Sequence, residues 1–145
     1  MTKYLFTVLF LFGLSLSFSQ SILGKWKTID DETGKEKSIV EIYERNGKVY
    51  GKIIKLINPS KSNPTCSKCE GSKKDAPILN MVIIEDLEED DEVYSGGTIL
   101  NPENGKEYKC RLKIGEDKDT LQVRGYVAFF YKTQYWKRVS EWPIF

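Results

Sequence analysis

The sequence predicts a small all-β protein in which consecutive hairpins build one antiparallel barrel of about eight strands. Segments that alternate apolar and polar residues recur along most of the chain. Short clusters rich in Gly, Asn, Asp and Pro separate these segments, and no credible helix longer than two turns lies between them. Strands joined in order by short hairpins favour an up-and-down barrel, because a Greek-key sandwich needs long crossovers.

Residues 1–19 have the layout of a secretory signal peptide. Lys3 gives a positive start, residues 4–16 carry no charge, and small residues flank Phe18 before a mature chain that would begin at Gln20. The apolar run is shorter than the ~20 residues that span a bilayer, so cleavage is favoured over a retained anchor. We therefore expect a bacterial protein exported to the periplasm or secreted, with residues 20–145 as a single domain and no integral membrane segment.

Charge and composition argue against several classes of function. Cleavage would remove Lys3, which reduces the 22 basic residues to 21 and leaves them equal to the 21 acidic residues. The two signs are interspersed, without the basic stripe that neutralises phosphates, so a nucleic-acid partner is not expected. The chain has no histidine, which removes the commonest general base and metal ligand. No pair of carboxylates is singled out as catalytic, so we predict a protein that is not an enzyme and holds no cofactor or metal.

The first half of the chain contains three predicted strands and one long connection. Asn46-Gly47 predicts a type I′ hairpin turn between the second and third strands, because both residues tolerate positive φ. The third strand ends before Pro59, and the stretch from Pro59 to Pro77 is irregular and holds two cysteines. The three strands are placed at residues 24–29, 38–44 and 49–57.

The second half begins with an ambiguous segment, residues 78–87, which the β-branched run Val82-Ile83-Ile84 favours as a strand over a helix. The acidic run 88–92 is expected to be a solvated turn, since it lacks the ligand pattern and glycine of a calcium loop. Gly96-Gly97 predicts a bulge or a close backbone approach. Further strands are placed at residues 93–100, 107–114, 121–131 and 134–139.

Alternation along these later strands predicts which side chains share a face. Tyr108, Cys110, Leu112 and Ile114 point one way, which makes Cys110 a buried free thiol. On the following strand, one face is expected to carry Leu121, Val123, Val127 and Phe129.

Gly24-Lys25-Trp26 and Trp136-Lys137-Arg138 lie on the first and last strands, which are neighbours in a closed barrel. Trp26 can therefore close one end of the barrel with Arg138 across its face, a cation–π contact. We assign a structural role to Trp26, Trp136 and Arg138. The pairing resembles the Gly-x-Trp motif and late Arg of the lipocalin and fatty-acid-binding superfamily.

A wider resemblance covers nearly all of the mature chain and identifies it as a member of the DUF2147 family, exported bacterial proteins of undefined function. It implies a lipocalin-like barrel and brings no established activity. Asn80 stands where the family frequently has Gly, and Asn also tolerates left-handed backbone. The matching elements are Gly24-Lys25-Trp26, Val49-Tyr50-Gly51-Lys52-Ile53, Cys66-Ser67-Lys68-Cys69-Glu70-Gly71, Ser95-Gly96-Gly97, residues 101–108 and residues 121–126.

Cys66 and Cys69 sit in a polar, proline-bearing segment of a chain expected to be exported, and a disulfide between them is the preferred interpretation. A thioredoxin-like redox pair is a second possibility, but no helix is predicted to begin at Cys66 and lower its pKa. Half of a zinc site is a third, and it fails on ligand number, because Cys110 is the one other cysteine.

Aromatic residues and one arginine form the candidate ligand-binding set. Arg124 lies on the face opposite Leu121 and Val123, beside Tyr126; if that face lines the barrel, Arg124 can anchor a carboxylate or phosphate, and otherwise it is a surface charge. Ordinary core packing is the alternative interpretation of the aromatic residues, since small barrels either fill with side chains or hold one small ligand. The candidate ligand-binding residues are Arg124, Tyr126, Tyr108, Phe129 and Tyr50.

The leading functional hypothesis is an exported lipocalin-like protein that binds a small apolar or amphipathic molecule inside its barrel. The alternative is an envelope-associated interaction protein without an internal ligand, acting through its surface, the Cys66–Cys69 segment and the aromatic tail at residues 142–145. The sequence leaves the oligomeric state open.

Overall fold

The computed structural model describes residues 21–140, which form one closed barrel of eight antiparallel strands. Each strand pairs with the next in sequence, and β8 pairs with β1 to close the barrel. This confirms the all-β, up-and-down fold class. The predicted signal peptide and the aromatic tail at residues 142–145 lie outside the described residues. The strands are β1 (Gly24–Ile29), β2 (Glu36–Arg45), β3 (Lys48–Leu56), β4 (Val82–Asp90), β5 (Val93–Asn101), β6 (Lys106–Ile114), β7 (Thr120–Val127) and β8 (Phe130–Arg138).

Glycine and asparagine act in the barrel as their sequence positions predict. Asn46 and Gly47 have φ of 51° and 78°, which confirms a left-handed two-residue turn between β2 and β3. At Gly97 the backbone of β4 comes so close that a Cβ atom would lie 1.9 Å from the carbonyl oxygen of Glu85. The register of β5 against β6 also shifts between Tyr94 and Gly97, so the expected bulge and close approach are both present.

Two predicted elements are corrected by the structure. The strand expected at residues 121–131 is interrupted, because Ala128 adopts a φ of 50° and the chain reverses between Val127 and Phe130. Phe129 therefore lies in a turn and does not share the face of Leu121. The acidic run 88–92 is mostly strand, since β4 continues to Asp90 and the turn consists of Asp91 and Glu92, both with positive φ.

The two ends of the barrel differ in how they are filled. At one end, called here the closed end, the β2–β3, β4–β5 and β6–β7 turns surround a packed apolar core. Cys110 is a buried free thiol within this core, as predicted, and its burial raises the pKa of the thiol to about 12. The fully buried side chains here include Trp26, Val40, Ile42, Ile84, Leu87, Leu112 and Leu121.

The β3–β4 connection contains a segment, residues 64–78, that we call the Cys loop. Its ends are held together by a hydrogen bond from the Ile78 amide to the Pro64 carbonyl, 3.0 Å, and by a bridge between Thr65 and Pro77. A disulfide joins Cys66 and Cys69, as predicted. Just beyond the loop, Asn80 has a φ of 70°, a left-handed backbone conformation that asparagine tolerates.

Candidate functional site

The barrel opens into a cavity of about 910 Å³ at the end opposite the closed end. We call this opening the mouth, and the β1–β2, β3–β4, β5–β6 and β7–β8 connections surround it. Every one of the eight strands contributes to the cavity wall, so the space lies within the barrel. Its volume falls in the ~300–1,000 Å³ range of small-molecule pockets.

Small side chains explain why this half of the barrel is hollow. Thr28 and Ser38 face each other across β1 and β2, and their hydroxyl oxygens lie 2.7 Å apart. On β7, Gly125 has no side chain to fill the interior, and a Cβ there would lie 3.2 Å from Cβ of Tyr108. A larger residue at any of these positions would occupy space that the cavity now takes.

The deep part of the cavity is mainly apolar. Trp136 is 2% exposed and lies on the same face as Leu121, opposite it in the β7–β8 ladder. Such a wall favours an apolar ligand, because each Å² removed from water contributes about 25 cal/mol. Apolar side chains around this space are those of Ile53, Leu56, Ile78, Ile83, Ile99, Val123 and Trp136.

Two polar groups at the wall can still donate a hydrogen bond to a ligand. The Trp136 indole Nε1–H donates to Oε1 of Gln134 at 3.0 Å. The Nε2–H₂ group of Gln134 can then donate to a ligand. Asn104 Nδ2 donates to the Tyr108 hydroxyl oxygen at 3.1 Å, which leaves the Tyr108 O–H proton available. Both remaining groups are donors, so they suit a ligand that carries a carbonyl, ether or hydroxyl oxygen.

Charged side chains are paired around the mouth. Lys37 on β2 forms ion pairs with Asp30, 3.3 Å away, and with Glu103 in the β5–β6 turn, and Lys132 lies 3.2 Å from Asp31. Desolvation works against the charge of Lys37, but its bonds to Glu103 and Asp30 outweigh this and raise its pKa. The Lys37–Glu103 pair joins the start of β2 to the β5–β6 turn, which is distant from it in sequence, across the mouth.

The carboxylate of Asp30 is held mainly by backbone groups. The amides of Thr33 and Glu32 each donate to Oδ1 at 2.9 Å. These two bonds, with a smaller contribution from Lys37, lower the pKa of Asp30 from 3.8 to about 2. The β1–β2 connection is therefore ordered around a carboxylate that stays ionised at neutral pH.

The Cys loop forms one wall of the mouth and is fitted closely to the barrel. Pro64 and Ile78 line the cavity. The Lys68 carbonyl lies against Gly105 of the β5–β6 turn, where a Cβ atom would come within 1.9 Å of its oxygen. Cys66 and Cys69 are both almost fully buried, so the disulfide stiffens a part of the wall.

At the closed end, Trp26 and Arg138 form the contact expected from the sequence. The Trp26 side chain is fully buried, and its Nε1–H donates to the carbonyl of Ile22 at 2.8 Å. The guanidinium carbon of Arg138 lies 4.2 Å from the centre of the indole ring. Arg138 Nη2 also donates to the carbonyls of Ser21 and Lys118, at 3.1 and 3.3 Å. This group closes the barrel end without lining the cavity.

Of the five candidate ligand-binding residues, Tyr108 lines the cavity and the other four lie elsewhere. Arg124 points outward, where its Nε donates to Thr133 Oγ1 at 3.1 Å and its guanidinium stacks on Tyr131. Tyr126 is the cross-strand partner of Tyr131 on the same outer face. Arg124 is therefore a surface charge and does not line the barrel.

The remaining two candidates are also outside the cavity. Tyr50 donates to Asp86 Oδ1 at 2.9 Å and stacks on Tyr43. Phe129 is 99% exposed in the β7–β8 turn. Sequence reasoning missed Gln134 and assigned Trp136 a structural role only, although the two residues share a face by strand alternation, and that alternation could have identified Gln134.

The described residues offer neither a metal site nor a helix that could cross a membrane. Residues 21–140 contain no group of three or more Cys, Asp or Glu side chains placed to hold a metal ion. Over the same residues, no helix has the length and apolar character needed to cross a membrane.

Comparison with known proteins shows the family and the fold of the chain. No curated protein matches it. Among solved structures it is similar to protein HP1028 from Helicobacter pylori, described as belonging to the lipocalin family, with 25% sequence identity and a TM-score of 0.72. That match covers 83% of this chain and 84% of the other. The family model described as an uncharacterised protein conserved in bacteria, DUF2147, matches residues 24–138. With this match and this barrel, the chain belongs to the DUF2147 family and has a lipocalin-like fold.

Proposed function

We propose that the protein binds a small apolar or amphipathic molecule in the barrel cavity and is not an enzyme. The cavity of about 910 Å³, walled by all eight strands, is the observation that carries the proposal. A barrel of this size whose interior is filled by side chains has no such space. The lipocalin family membership stated for the similar Helicobacter pylori protein supports the same function.

The wall chemistry narrows the kind of ligand. An apolar body would pack against Ile53, Ile99 and Trp136, and an oxygen acceptor would take a hydrogen bond from Gln134 Nε2 or from the Tyr108 hydroxyl. The mouth carries four carboxylates against two lysines: Asp30, Asp31, Glu32 and Glu103 against Lys37 and Lys132. This excess of negative charge favours a neutral or cationic head group over an anionic one.

The predicted export of the chain forms part of the proposal. The disulfide between Cys66 and Cys69 is of the kind that persists in an oxidising compartment. We infer a periplasmic or secreted protein that carries or sequesters its ligand outside the cytoplasm.

Native mass spectrometry of protein purified from its own source tests the proposal, because a retained ligand reports its own mass. Val123→Phe places a ring in the cavity, and Gln122→Phe places the same ring on the outer face of the same strand. We expect the co-purified mass with wild type and Gln122→Phe and its loss with Val123→Phe.

Where no ligand co-purifies, the neutral fluorescent probe phenylnaphthylamine serves in its place. Val123→Phe should weaken probe binding about tenfold or more, and Gln122→Phe should leave it within about twofold. Equal binding by both variants would contradict the cavity proposal and favour the alternative, an interaction protein acting through its surface and Cys loop. Thermal melting of both variants establishes that they are folded.

A further inference from the structure

The β7–β8 turn exposes an apolar tip beside the mouth. Phe129 is 99% exposed, Phe130 79% and Val127 50%, and Ala128 between them is exposed too. Tyr131 follows at 60%. Four consecutive apolar residues at the end of a hairpin, followed by a tyrosine, are unusual on a protein surface and mark an interaction site. We call residues 127–131 the apolar tip.

The tip is well defined and borders the cavity. It is a two-residue turn between paired strands, with Val127 opposite Phe130 and Tyr126 opposite Tyr131 in the ladder. Val127, Phe130 and Tyr131 also line the mouth of the cavity. Any surface that takes up the tip is therefore brought to the opening of the barrel.

The outer face of β6, β7 and β8, which leads up to the tip, is basic and aromatic. Cross-strand partners share a face, and here Arg111 pairs with Arg124, Lys109 with Tyr126, and Gln122 with Tyr135. One carboxylate, Glu107, lies on this face of β6. The cations of the face are Lys109, Arg111, Lys113, Arg124 and Lys137.

We propose that the apolar tip inserts into an anionic lipid surface, with the outer face of β6–β8 lying against the head groups. Phe129 and Phe130 would enter the acyl boundary, and Tyr126, Tyr131 and Tyr135 would lie at the interface, where tyrosine is favoured. Each cation near an anionic surface contributes to the attraction. Asp31 of the β1–β2 connection lies 3.2 Å from Lys132, the residue that follows the tip, so this carboxylate is paired there, and Asp30 is paired with Lys37 at 3.3 Å.

Charge separates this partner from two others. Pairing with a second copy of the same face would bring five cations against five cations, which like-charge repulsion opposes. A nucleic acid would use the cations and tyrosines but would leave Phe129 and Phe130 in water. An anionic bilayer accommodates the phenyl rings and the positive charge together.

Co-sedimentation with vesicles tests the proposal. Vesicles of phosphatidylcholine with one-third phosphatidylglycerol should bind the wild-type protein, and vesicles of phosphatidylcholine alone should bind it more weakly. The double variant Phe129→Ser, Phe130→Ser should bind the anionic vesicles about tenfold or more weakly. Lys109→Gln with Arg111→Gln should weaken binding to the anionic vesicles and leave binding to the neutral ones unchanged.

Leu23→Ser is the matched control, since it removes an exposed apolar side chain near the closed end. It should bind as wild type does. Wild-type protein that stays in solution with anionic vesicles, or a tip double variant that binds them unchanged, would overturn the proposal. A dimer in light scattering that the tip variant dissolves, without vesicle binding by wild type, would overturn it in favour of self-association. None of these results depends on whether the cavity holds a ligand.

Discussion

At the scale of single residues, backbone amides control the charge state at the mouth. The Asp30 carboxylate accepts two amide hydrogen bonds from its own connection, and its pKa falls from 3.8 to about 2. A carboxyl whose folded pKa is depressed contributes stability that is present above its unfolded pKa. This contribution is therefore fully present above about pH 4 and is lost as the pH falls through about 2.

The first prediction distinguishes the effect of the two amide hydrogen bonds on the pKa of Asp30 from the effect of its ion pair with Lys37. NMR titration of the Asp30 carboxyl should show its inflection near a pKa of 2. In Lys37→Gln the pKa should rise only slightly, because the amides of Thr33 and Glu32 are the larger causes of the depression. A return of the pKa to the ordinary 3.8 in that variant would show that the lysine is the main cause.

Individual residues also mark where sequence reasoning about the site reaches its limit. Tyr108 lines the cavity, and strand alternation predicts its face because β6 alternates without interruption. The sequence predicts that Phe129 shares the face of Leu121, because nothing in Val127-Ala128-Phe129 indicates a turn: no Gly, Asn, Asp or Pro is present. The positive φ of Ala128 goes with the pairing of β7 and β8 on both sides of the turn. The local sequence pattern carries no signal of that pairing.

At the scale of elements, the fit of the Cys loop to the β5–β6 turn depends on one missing side chain. Gly105 and Gly34 have nearly the same backbone, with φ of 70° and 71°. A Cβ on Gly105 would meet the Lys68 carbonyl at 1.9 Å, whereas a Cβ on Gly34 would meet nothing within 4 Å. The two glycines therefore share a left-handed φ and differ in their surroundings.

The second prediction uses this pair. Gly34→Ala should lower the free energy of unfolding by about 1 kcal/mol, the cost of a left-handed alanine. Gly105→Ala should pay the same cost and about 2 kcal/mol or more in addition, because the backbone of the Cys loop must move away. Urea denaturation followed by tryptophan fluorescence measures both, and equal losses in the two variants would show that the loop yields freely.

At the scale of the whole molecule, the β1–β8 ladder, which closes the barrel, has the fewest residue pairs of the eight ladders. β1 and β8 are joined through two residue pairs, Trp26 with Arg138 and Lys27 with Lys137. The β7–β8 ladder, by contrast, pairs every residue of β7, from Thr120 to Val127, with β8. The stacking of Arg138 on Trp26 therefore reinforces this short seam of the barrel.

The third prediction follows from that seam. Arg138→Lys removes the planar guanidinium and should cost about 1 kcal/mol of stability. It should also speed hydrogen exchange of the β1 and β8 amides more than that of the β6 and β7 amides. Arg111→Lys is the control, since Arg111 makes one long, part-buried hydrogen bond of 3.5 Å to Gln122 on the outer face of the barrel, and it should change stability by less than about 0.5 kcal/mol. Uniform exchange changes in Arg138→Lys would argue against a local seam.

At this scale the strand order of the barrel was predictable from the sequence, but the residues that form the cavity were not. Asn46-Gly47, the alternation in β6, and Trp26 with Arg138 each specify local pairing, and consecutive pairing of neighbours leaves few topologies. The cavity depends on where small residues from different strands meet. Thr28, Ser38 and Gly125 come together only through the register of the closed barrel, which no single segment encodes.

Trp26 and Trp136 differ in their surroundings, and this difference has a spectroscopic consequence. Trp136 lines the cavity beside Gln134, whereas Trp26 is sealed beneath a cation at the closed end. With Trp142 replaced by Phe, the protein carries two tryptophans, and their emission reports on different events. If the proposed ligand fills the cavity, Trp136 emission should shift, whereas Trp26 emission should shift when the barrel unfolds, so the emission spectrum should distinguish filling from unfolding.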